Sequence, residues 1–149
     1  MLEAIRQAKL ARDDGDYAIG AVIVKDNEVL VACSSRSKRD NSPIAHAEIL
    51  AITEACDLLN SRHIPDCILY ATHEPCPMCS SAAVFSRLKG IVYGAFIDDM
   101  RKHRLKSEGS NYLWRTIDIS CEEVIKKSTE DIALIKGFMR EDCMKLFHS

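Results

Sequence analysis

No stretch of this 149-residue sequence reaches the roughly 18 consecutive apolar residues that a membrane-spanning helix needs. The first sixteen residues are charged throughout and lack the apolar block of a secretory signal peptide. Neither sign of charge is in large excess, because the formal net charge is −2. The protein therefore has no overall positive field that would attract nucleic acid. Repeats and low-complexity tracts are absent. We therefore expect a single domain over residues 1–149, cytoplasmic and without membrane contact.

The cysteine content does not suggest a disulfide framework. There are seven cysteines, an odd number, in a chain well above mini-protein size and without a signal peptide. Five of them lie among apolar neighbours, where a free cysteine acts as a small hydrophobic residue: Cys33, Cys56, Cys67, Cys121 and Cys143. Cys76 and Cys79 differ, because together they form a C-x-x-C motif.

The hydrophobic pattern alternates between strands and helices. It predicts strands at 19–24, 29–32, 67–72, 91–96, 116–119 and 132–135, and helices at 2–13, 45–59, 76–88 and 140–147. Residues 98–112 are expected to form a loop or a short helix, and another short helix fits between the last two strands. Such alternation predicts an α/β protein with helices on both faces of its sheet, and the opening hairpin makes that sheet mixed.

One constellation of residues indicates a metal centre. His46 precedes Cys76 and Cys79, and all three lie near predicted helix starts, where backbone N–H groups stabilise thiolates. One imidazole and two thiolates balance the charge of Zn²⁺ and leave its fourth tetrahedral position open, as in catalytic zinc sites. The two strand-to-helix junctions that carry these residues are expected to meet at the carboxyl edge of the sheet.

Glu48 supplies the carboxylate that such a site needs. It lies two residues after His46, which places it beside a zinc-bound water without making it a ligand. Its predicted task is to accept a proton as hydroxide forms and to return protons to the substrate.

Three other interpretations of these motifs stay open. A structural zinc site would use a fourth ligand, for which His73 is the candidate. The C-x-x-C could instead be a redox-active pair of cysteines, which would need no upstream H-A-E motif. His46 could also be an ordinary core histidine.

The order H-x-E followed by P-C-x-x-C is a signature of zinc nucleobase deaminases. With it, residues from about 5 to 95 resemble the cytidine deaminase-like superfamily, in its nucleobase and tRNA-adenosine deaminase branch. The resembling segments are 20–24, 45–49, 69–72, 74–79 and 92–95, with a looser match at 137–143. The resemblance implies a three-layer α/β/α sandwich around a five-stranded mixed sheet, a homodimer or larger assembly, and hydrolytic release of ammonia. It also implies that the backbone at Ala47 and the segment around Pro75 border the bound base.

The sequence departs from that family at two places. Ser35 stands where members often have an asparagine that contacts the substrate, and a hydroxyl offers fewer donors and acceptors than an amide. Either the substrate differs, or a neighbour such as Arg36 replaces the asparagine. The long connection after residue 96 contains Trp114 in a stretch that resembles small guanine deaminases. Trp114 would stack on a base or fill a gap in the core.

Charged residues in the same connection allow two interpretations. Asp98 and Asp99 would accept hydrogen bonds from an exocyclic amine, or lie on the surface. The basic run from Arg101 to Lys106 would be a solvated face or a polyanion contact.

The leading functional hypothesis is zinc-dependent deamination of a free small substrate, a guanine- or cytosine-like base or nucleoside. The alternative is a tRNA-specific adenosine deaminase, whose flipped nucleotide would need a basic rim such as the Arg101–Lys106 run. A third possibility is a non-catalytic zinc-binding module. A nucleic-acid partner is the less favoured expectation, because the overall charge is slightly acidic.

Overall fold

The computed structural model describes the backbone of residues 1–106 and 116–148 and the side chains of residues 1–103 and 116–147. The helices are α1 (Leu2–Asp13), α2 (Ala47–Leu58), α3 (Pro77–Phe85), α4 (Ile97–Lys106), α5 (Cys121–Lys126) and α6 (Arg140–Met144), and a 3₁₀ turn (Lys145–His148) follows. The strands are β1 (Gly20–Lys25), β2 (Glu28–Ser34), β3 (Cys67–His73), β4 (Gly90–Ala95) and β5 (Ala133–Lys136).

These five strands form one mixed sheet in the order β2-β1-β3-β4-β5. Strand β1 runs antiparallel to β2 and β3, whereas β3, β4 and β5 are mutually parallel. All six residues of β4 are buried, as expected for a parallel strand covered on both faces. The predicted α/β fold with a five-stranded mixed sheet is confirmed.

Two clusters of buried side chains hold the helices to the sheet. The larger one joins the strands to α2, α3 and α5. The smaller one joins α1 and α6 to the end of β4 through residues such as Ile5, Ala95 and Cys143. Helices therefore cover both faces of the sheet. None of the helices that the structure describes has the length and apolar character needed to cross a bilayer.

The strand predicted at 116–119 is wrong. Residues 116–120 are irregular and lead into α5. The Ile119 N–H donates to the Ile117 carbonyl at 2.9 Å, and such a tight i→i+2 turn is incompatible with an extended ladder. Ser120 then starts α5 through a capping box with Glu123. The short alternation of apolar residues reflects a turn and a helix cap.

Other boundaries shift by a few residues. Helix α2 begins at Ala47, because His46 is its extended N-cap. Helix α3 ends at Phe85, and Arg87 then adopts a positive φ of 56° that a helix cannot continue through. Of the region predicted as a loop or a short helix, residues 98–106 belong to α4, and residues 107–112 lie outside the described residues.

Candidate active site

His46, Cys76 and Cys79 meet where two helices begin near the carboxyl end of β3. His46 is the N-cap of α2, Cys76 is the N-cap of α3, and Cys79 lies in the first turn of α3. The Nδ1 atom of His46 is 3.8 Å from the Cys76 sulfur and 3.5 Å from the Cys79 sulfur. The two sulfur atoms are 3.6 Å apart.

These separations fit the edges of a zinc tetrahedron. Zinc–sulfur bonds of about 2.3 Å and zinc–nitrogen bonds of about 2.05 Å place two sulfurs about 3.8 Å apart and a sulfur and a nitrogen about 3.6 Å apart. The three donor atoms all lie within 4.8 Å of one another. Among the residues that the structure describes, no fourth histidine, cysteine or acidic side chain joins this group. Three donors leave one coordination position open, as a catalytic site requires.

His73, the candidate fourth ligand, points its Nδ1 elsewhere. That atom is 2.8 Å from the hydroxyl of Thr72, and the ring packs against Phe147 with centroids 4.7 Å apart. The interpretation of the C-x-x-C as part of a four-ligand structural site therefore has no support in this geometry.

The two thiols are strongly coupled. Hydrogen bonds with Cys79 and with His46 lower the pKa of Cys76 to about 4, although burial opposes this. The pKa of Cys79 is raised well above its usual value by its bond with Cys76 and by burial. The bond to Cys76 also raises the pKa of His46. The thiol of Cys76 therefore ionises readily, whereas the thiol of Cys79 loses its proton when a metal cation binds.

Glu48 lies in the first turn of α2 with 3% of its surface exposed. Its Oε2 atom is buried and has no hydrogen-bond partner among the residues that the structure describes. Burial raises the pKa of this carboxyl to about 7, although His46 opposes the shift. A carboxyl group with such a pKa can both accept and return a proton near neutral pH.

A cavity of about 250 Å³ contains this group. Polar residues in its lining include His46, Glu48, His73, Glu74 and Cys76. The apolar part of the lining comprises Ile19, Pro43, Pro77, Met78, Ile97, Met100 and Ile117. A mostly apolar cavity with a few convergent polar groups is typical of a site for a small flat ligand.

Of the predicted substrate-binding residues that the structure describes, none is among the residues that line this cavity. Ser35 is 2% exposed, and its hydroxyl donates to Asp16 at 3.0 Å. Arg36 pairs with Asp40 and lines a different cavity of about 410 Å³, so it does not replace the missing asparagine. Ala47 and Pro75 are fully buried next to the ligand residues but are not among the lining residues. Their contact with a base stays a prediction, and Trp114 lies outside the described residues.

Asp99 does not lie on the surface, and its carboxylate already has partners within the protein. Its carboxylate is 4% exposed and accepts two hydrogen bonds from Arg140, at 2.6 and 2.9 Å. It also accepts the N–H of Phe96 at 3.0 Å, so it connects α4 with α6. Asp98 instead accepts a bond from Arg101 at 3.2 Å.

Sequence reasoning missed two buried carboxylates. One oxygen of Glu74 accepts the N–H of Ile97, and the other accepts the N–H of Cys121, both at 3.1 Å. Glu74 therefore caps the starts of α4 and α5 beside the metal ligands. Asp16 accepts the Ser35 hydroxyl and the backbone N–H groups of the following loop. The partners of Glu74 lie 23 and 47 residues away, so local patterns carry no signal for its role.

Comparison with known proteins places this site among zinc enzymes. The family model described as the cytidine and deoxycytidylate deaminase zinc-binding region matches residues 1–95. The chain is 44% identical to the tRNA-specific adenosine deaminase of Bacillus subtilis (strain 168) over 96 residues. This aligned segment covers 64% of this chain and 60% of that protein. The chain is also 38% identical to the guanine deaminase of the same strain over 104 residues, and that aligned segment covers 70% of this chain and 65% of that protein. The chain spans about 60% of the length of the first curated relatives that it matches.

Two solved structures extend the similarity over most of the chain. A structure from a study of A-to-I editing by tRNA:A34 deaminases superposes with a TM-score of 0.80 at 27% identity, covering 98% of this chain and 96% of that one. The guanine deaminase from Bacillus subtilis superposes with a TM-score of 0.63 at 29% identity, covering 84% and 86%.

Proposed function

Because the chain belongs to the family of the cytidine and deoxycytidylate deaminase zinc-binding region, we propose that it hydrolyses the exocyclic amine of a nucleobase ring and releases ammonia. The observation that carries this proposal is Glu48, a buried carboxylate with an unpartnered oxygen in the same cavity as the three metal-ligating side chains. A non-catalytic zinc module has no use for such a carboxylate.

His46 would hold zinc through Nδ1, and Cys76 and Cys79 would hold it through their sulfur atoms. When bound, the metal lowers the pKa of a water molecule from 15.7 to about 7 and so supplies a nucleophile at neutral pH.

Glu48 performs the proton transfers in this proposal. It accepts a proton from the attacking water and delivers it to the ring nitrogen next to the amine-bearing carbon. It then moves the second water proton to the departing amine, so that water and the amine become a ring carbonyl and ammonia.

We propose a free base or nucleoside as the substrate. The cavity of about 250 Å³ has mostly apolar walls, which suit one flat ring. The basic run on α4 is in part neutralised, because Arg101 pairs with both Asp98 and Asp118. The net charge of −2 also gives no general attraction to RNA.

The second candidate is deamination of adenosine in tRNA. The 44% identity to a tRNA-specific adenosine deaminase supports it, as does the superposition on a tRNA:A34 deaminase. Those relatives make RNA a plausible partner, whereas the homodimer and the cytoplasmic location remain predictions from the resemblance and the composition.

One assay separates the two substrates. Zinc-loaded protein is tested for ammonia release on guanine, cytosine, isocytosine, adenine and their nucleosides, and on an anticodon stem-loop RNA in rising salt. We expect turnover of at least one free compound, which falls about 100-fold or more in Glu48→Gln and is little affected by salt. Turnover of the stem-loop alone, lost steeply as salt rises, would favour the tRNA candidate.

A further inference from the structure

The buried carboxylate of Asp16 is the feature that this inference concerns, and the inference rests on the function proposed above. Asp16 lies in the connection between α1 and β1 and is 4% exposed. Its backbone N–H donates to the Ala11 carbonyl of α1 at 2.8 Å, so that helix fixes its position. Asp16 is not among the residues that line the cavity around Glu48. Any effect on the substrate must therefore pass through the groups that its carboxylate holds.

Four donors from the residues that the structure describes converge on this carboxylate. One oxygen accepts the N–H of Tyr17 at 2.7 Å and the hydroxyl of Ser35 at 3.0 Å. The other accepts the backbone N–H groups of Lys38 and Arg39, at 2.9 and 3.0 Å. Burial alone would raise the pKa of Asp16, but these hydrogen bonds outweigh it and keep the pKa below its usual 3.8. The group is therefore an anion at neutral pH, and its hydrogen bonds are charge-assisted.

The β2–α2 loop, which we define as residues 35–45, depends on this attachment. The N–H of Arg36 donates to the Ala45 carbonyl at 3.0 Å, so the loop is closed on itself and moves as one unit. The ion pairs of its arginines are exposed and add little stability. The hydroxyl of Ser37 is buried without a hydrogen-bond partner among the described residues, which weakens the loop further. The hydrogen bonds to Asp16 are therefore a main support of its position.

The β2–α2 loop and the segment that carries Asp16 each contribute one apolar residue to the cavity wall. Pro43 belongs to the loop, and Ile19 lies three residues after Asp16. The Ser35 N–H donates to the Ile19 carbonyl at 2.9 Å, at the point where the loop leaves β2. Loss of the carboxylate would let Pro43 move relative to Ile19. A displacement of about 1 Å is enough to change how a site holds its substrate.

We propose that Asp16 is a positioning residue, which holds the β2–α2 loop so that Pro43 and Ile19 form a fixed wall for the bound base. Ser35 takes part as a donor to Asp16 and not as a contact of the base. Glu48 and the two cysteines of the metal group lie at the starts of α2 and α3, outside this loop. Loss of Asp16 should therefore weaken substrate binding more than it slows the proton transfers.

Amide hydrogen exchange, measured by NMR on the zinc-loaded full chain, tests the attachment without reference to activity. We expect the amides of Lys38 and Arg39 to exchange at least about 10-fold faster in Asp16→Ala, while the amides of the buried strand β4 keep their protection. Asp16→Asn keeps one acceptor oxygen, so it should give an intermediate rate, and it replaces Asp16→Ala if that variant does not fold.

Asp14→Ala is the matched control for amide exchange, because Asp14 is half exposed and pairs with the side chain of Arg39 at 2.6 Å. It removes a carboxylate from the same loop residue without touching the backbone N–H. We expect its exchange rates at Lys38 and Arg39 to stay within about 3-fold of the unmodified chain. Unprotected amides in the unmodified chain, or equal rates in the Asp14 and Asp16 variants, would overturn the proposal.

Kinetics then separate positioning from a purely structural role. On the compound that the protein deaminates best, we expect KM to rise about 10-fold or more in Asp16→Ala, with kcat changed by less than about 3-fold. Ser35→Ala removes one donor of four and should raise KM by less than about 3-fold. A residue that only stabilises the fold would lower the folded fraction, and so reduce kcat at an unchanged KM. That result in Asp16→Ala would contradict the proposal.

Failure of the proposed function has a different signature. The unmodified protein would then release no ammonia from any compound. The exchange rates of Lys38 and Arg39 would still show whether Asp16 holds the loop, because that measurement needs no substrate.

Discussion

Among the residues that the structure describes, Glu48 is poorly explained by a purely structural role. A carboxylate oxygen buried without a partner costs stability, since burial of an unpaired polar group is unfavourable by about 1–3 kcal/mol. Residues that lower stability in this way are concentrated at functional sites. The grouping of His46, Cys76 and Cys79 could be predicted from the sequence, because their motifs are local and lie at helix starts.

Glu48→Gln should therefore separate stability from activity. The amide carries no charge to bury, so we expect an unchanged or higher free energy of unfolding in the zinc-free protein. Ammonia release should fall about 10²- to 10⁴-fold, because proton transfer by a positioned group contributes that much. Denaturant titration and the ammonia assay measure the two effects. Activity retained in Glu48→Gln would show that another residue is the base.

Cys76→Ser tests the metal ligands at the same scale. A serine hydroxyl is a poor zinc ligand, so zinc affinity should fall by more than the roughly 10- to 100-fold that loss of a supporting residue costs. Cys56→Ser is the matched control, because Cys56 is also a half-buried free thiol but lies outside the ligand group. Metal analysis after gel filtration gives the stoichiometry. Equal zinc content in both variants would disprove the assignment.

At the scale of elements, buried carboxylates attach the later helices to the central strands. Glu74 connects the end of β3 to the starts of α4 and α5, and Asp99 connects α4 to Arg140 at the start of α6. Local sequence patterns give no signal for these connections, because their partners are 23 to 47 residues apart and only the tertiary fold brings them together. The wrong strand at 116–119 has a different cause, because its turn and helix cap are local, with partners two and three residues apart. The short alternation of apolar residues was given more weight there than the S-x-x-E capping pattern that starts at Ser120.

Glu74→Ala should destabilise the fold through these two helix starts. It leaves two buried N–H groups unpaired, and hydrogen bonds to a charged group are worth about 1.5–3 kcal/mol each, so we expect a loss of about 3 kcal/mol or more. Glu74→Gln keeps one acceptor oxygen and should lose about half as much. Denaturant unfolding measures both, with the exposed Glu141→Ala as the control. A loss no larger than that of the control would show that the caps are not needed.

The pair of Asp99 and Arg140 predicts an acid-sensitive connection between α4 and α6. The hydrogen bond from Arg140 lowers the pKa of Asp99 below its usual 3.8, so the folded state binds this proton less tightly than the unfolded chain. The stabilisation is present above the unfolded pKa and is lost as the pH falls below about 4 towards the folded pKa.

Asp99→Asn should accordingly be less stable than the unmodified chain at pH 7, and the difference should shrink as the pH falls below about 4. Thermal unfolding at a series of pH values measures this convergence. A difference that is independent of pH in that range would contradict the charge-based explanation.

At the scale of the whole molecule, residues 1–95 and the residues that follow them contribute differently to the site. The three side chains that could hold a metal and Glu48 lie within residues 1–95, which the family model matches. Ile97, Met100 and Ile117, which form part of the cavity wall, lie beyond that region. We therefore expect the choice of substrate to depend on the segment after residue 95, which Glu74 and Asp99 attach to the rest of the fold. This division explains why the sequence predicts the chemistry better than the substrate.

The central claim is a metal held by three protein atoms, with its remaining position open for the reaction. Zinc K-edge X-ray absorption on the zinc-loaded full chain tests it most directly. We expect two sulfur atoms at about 2.3 Å and two lighter atoms at about 2.0–2.1 Å, of which one belongs to a single imidazole. A third sulfur, a second imidazole or the absence of sulfur from the coordination sphere would contradict it.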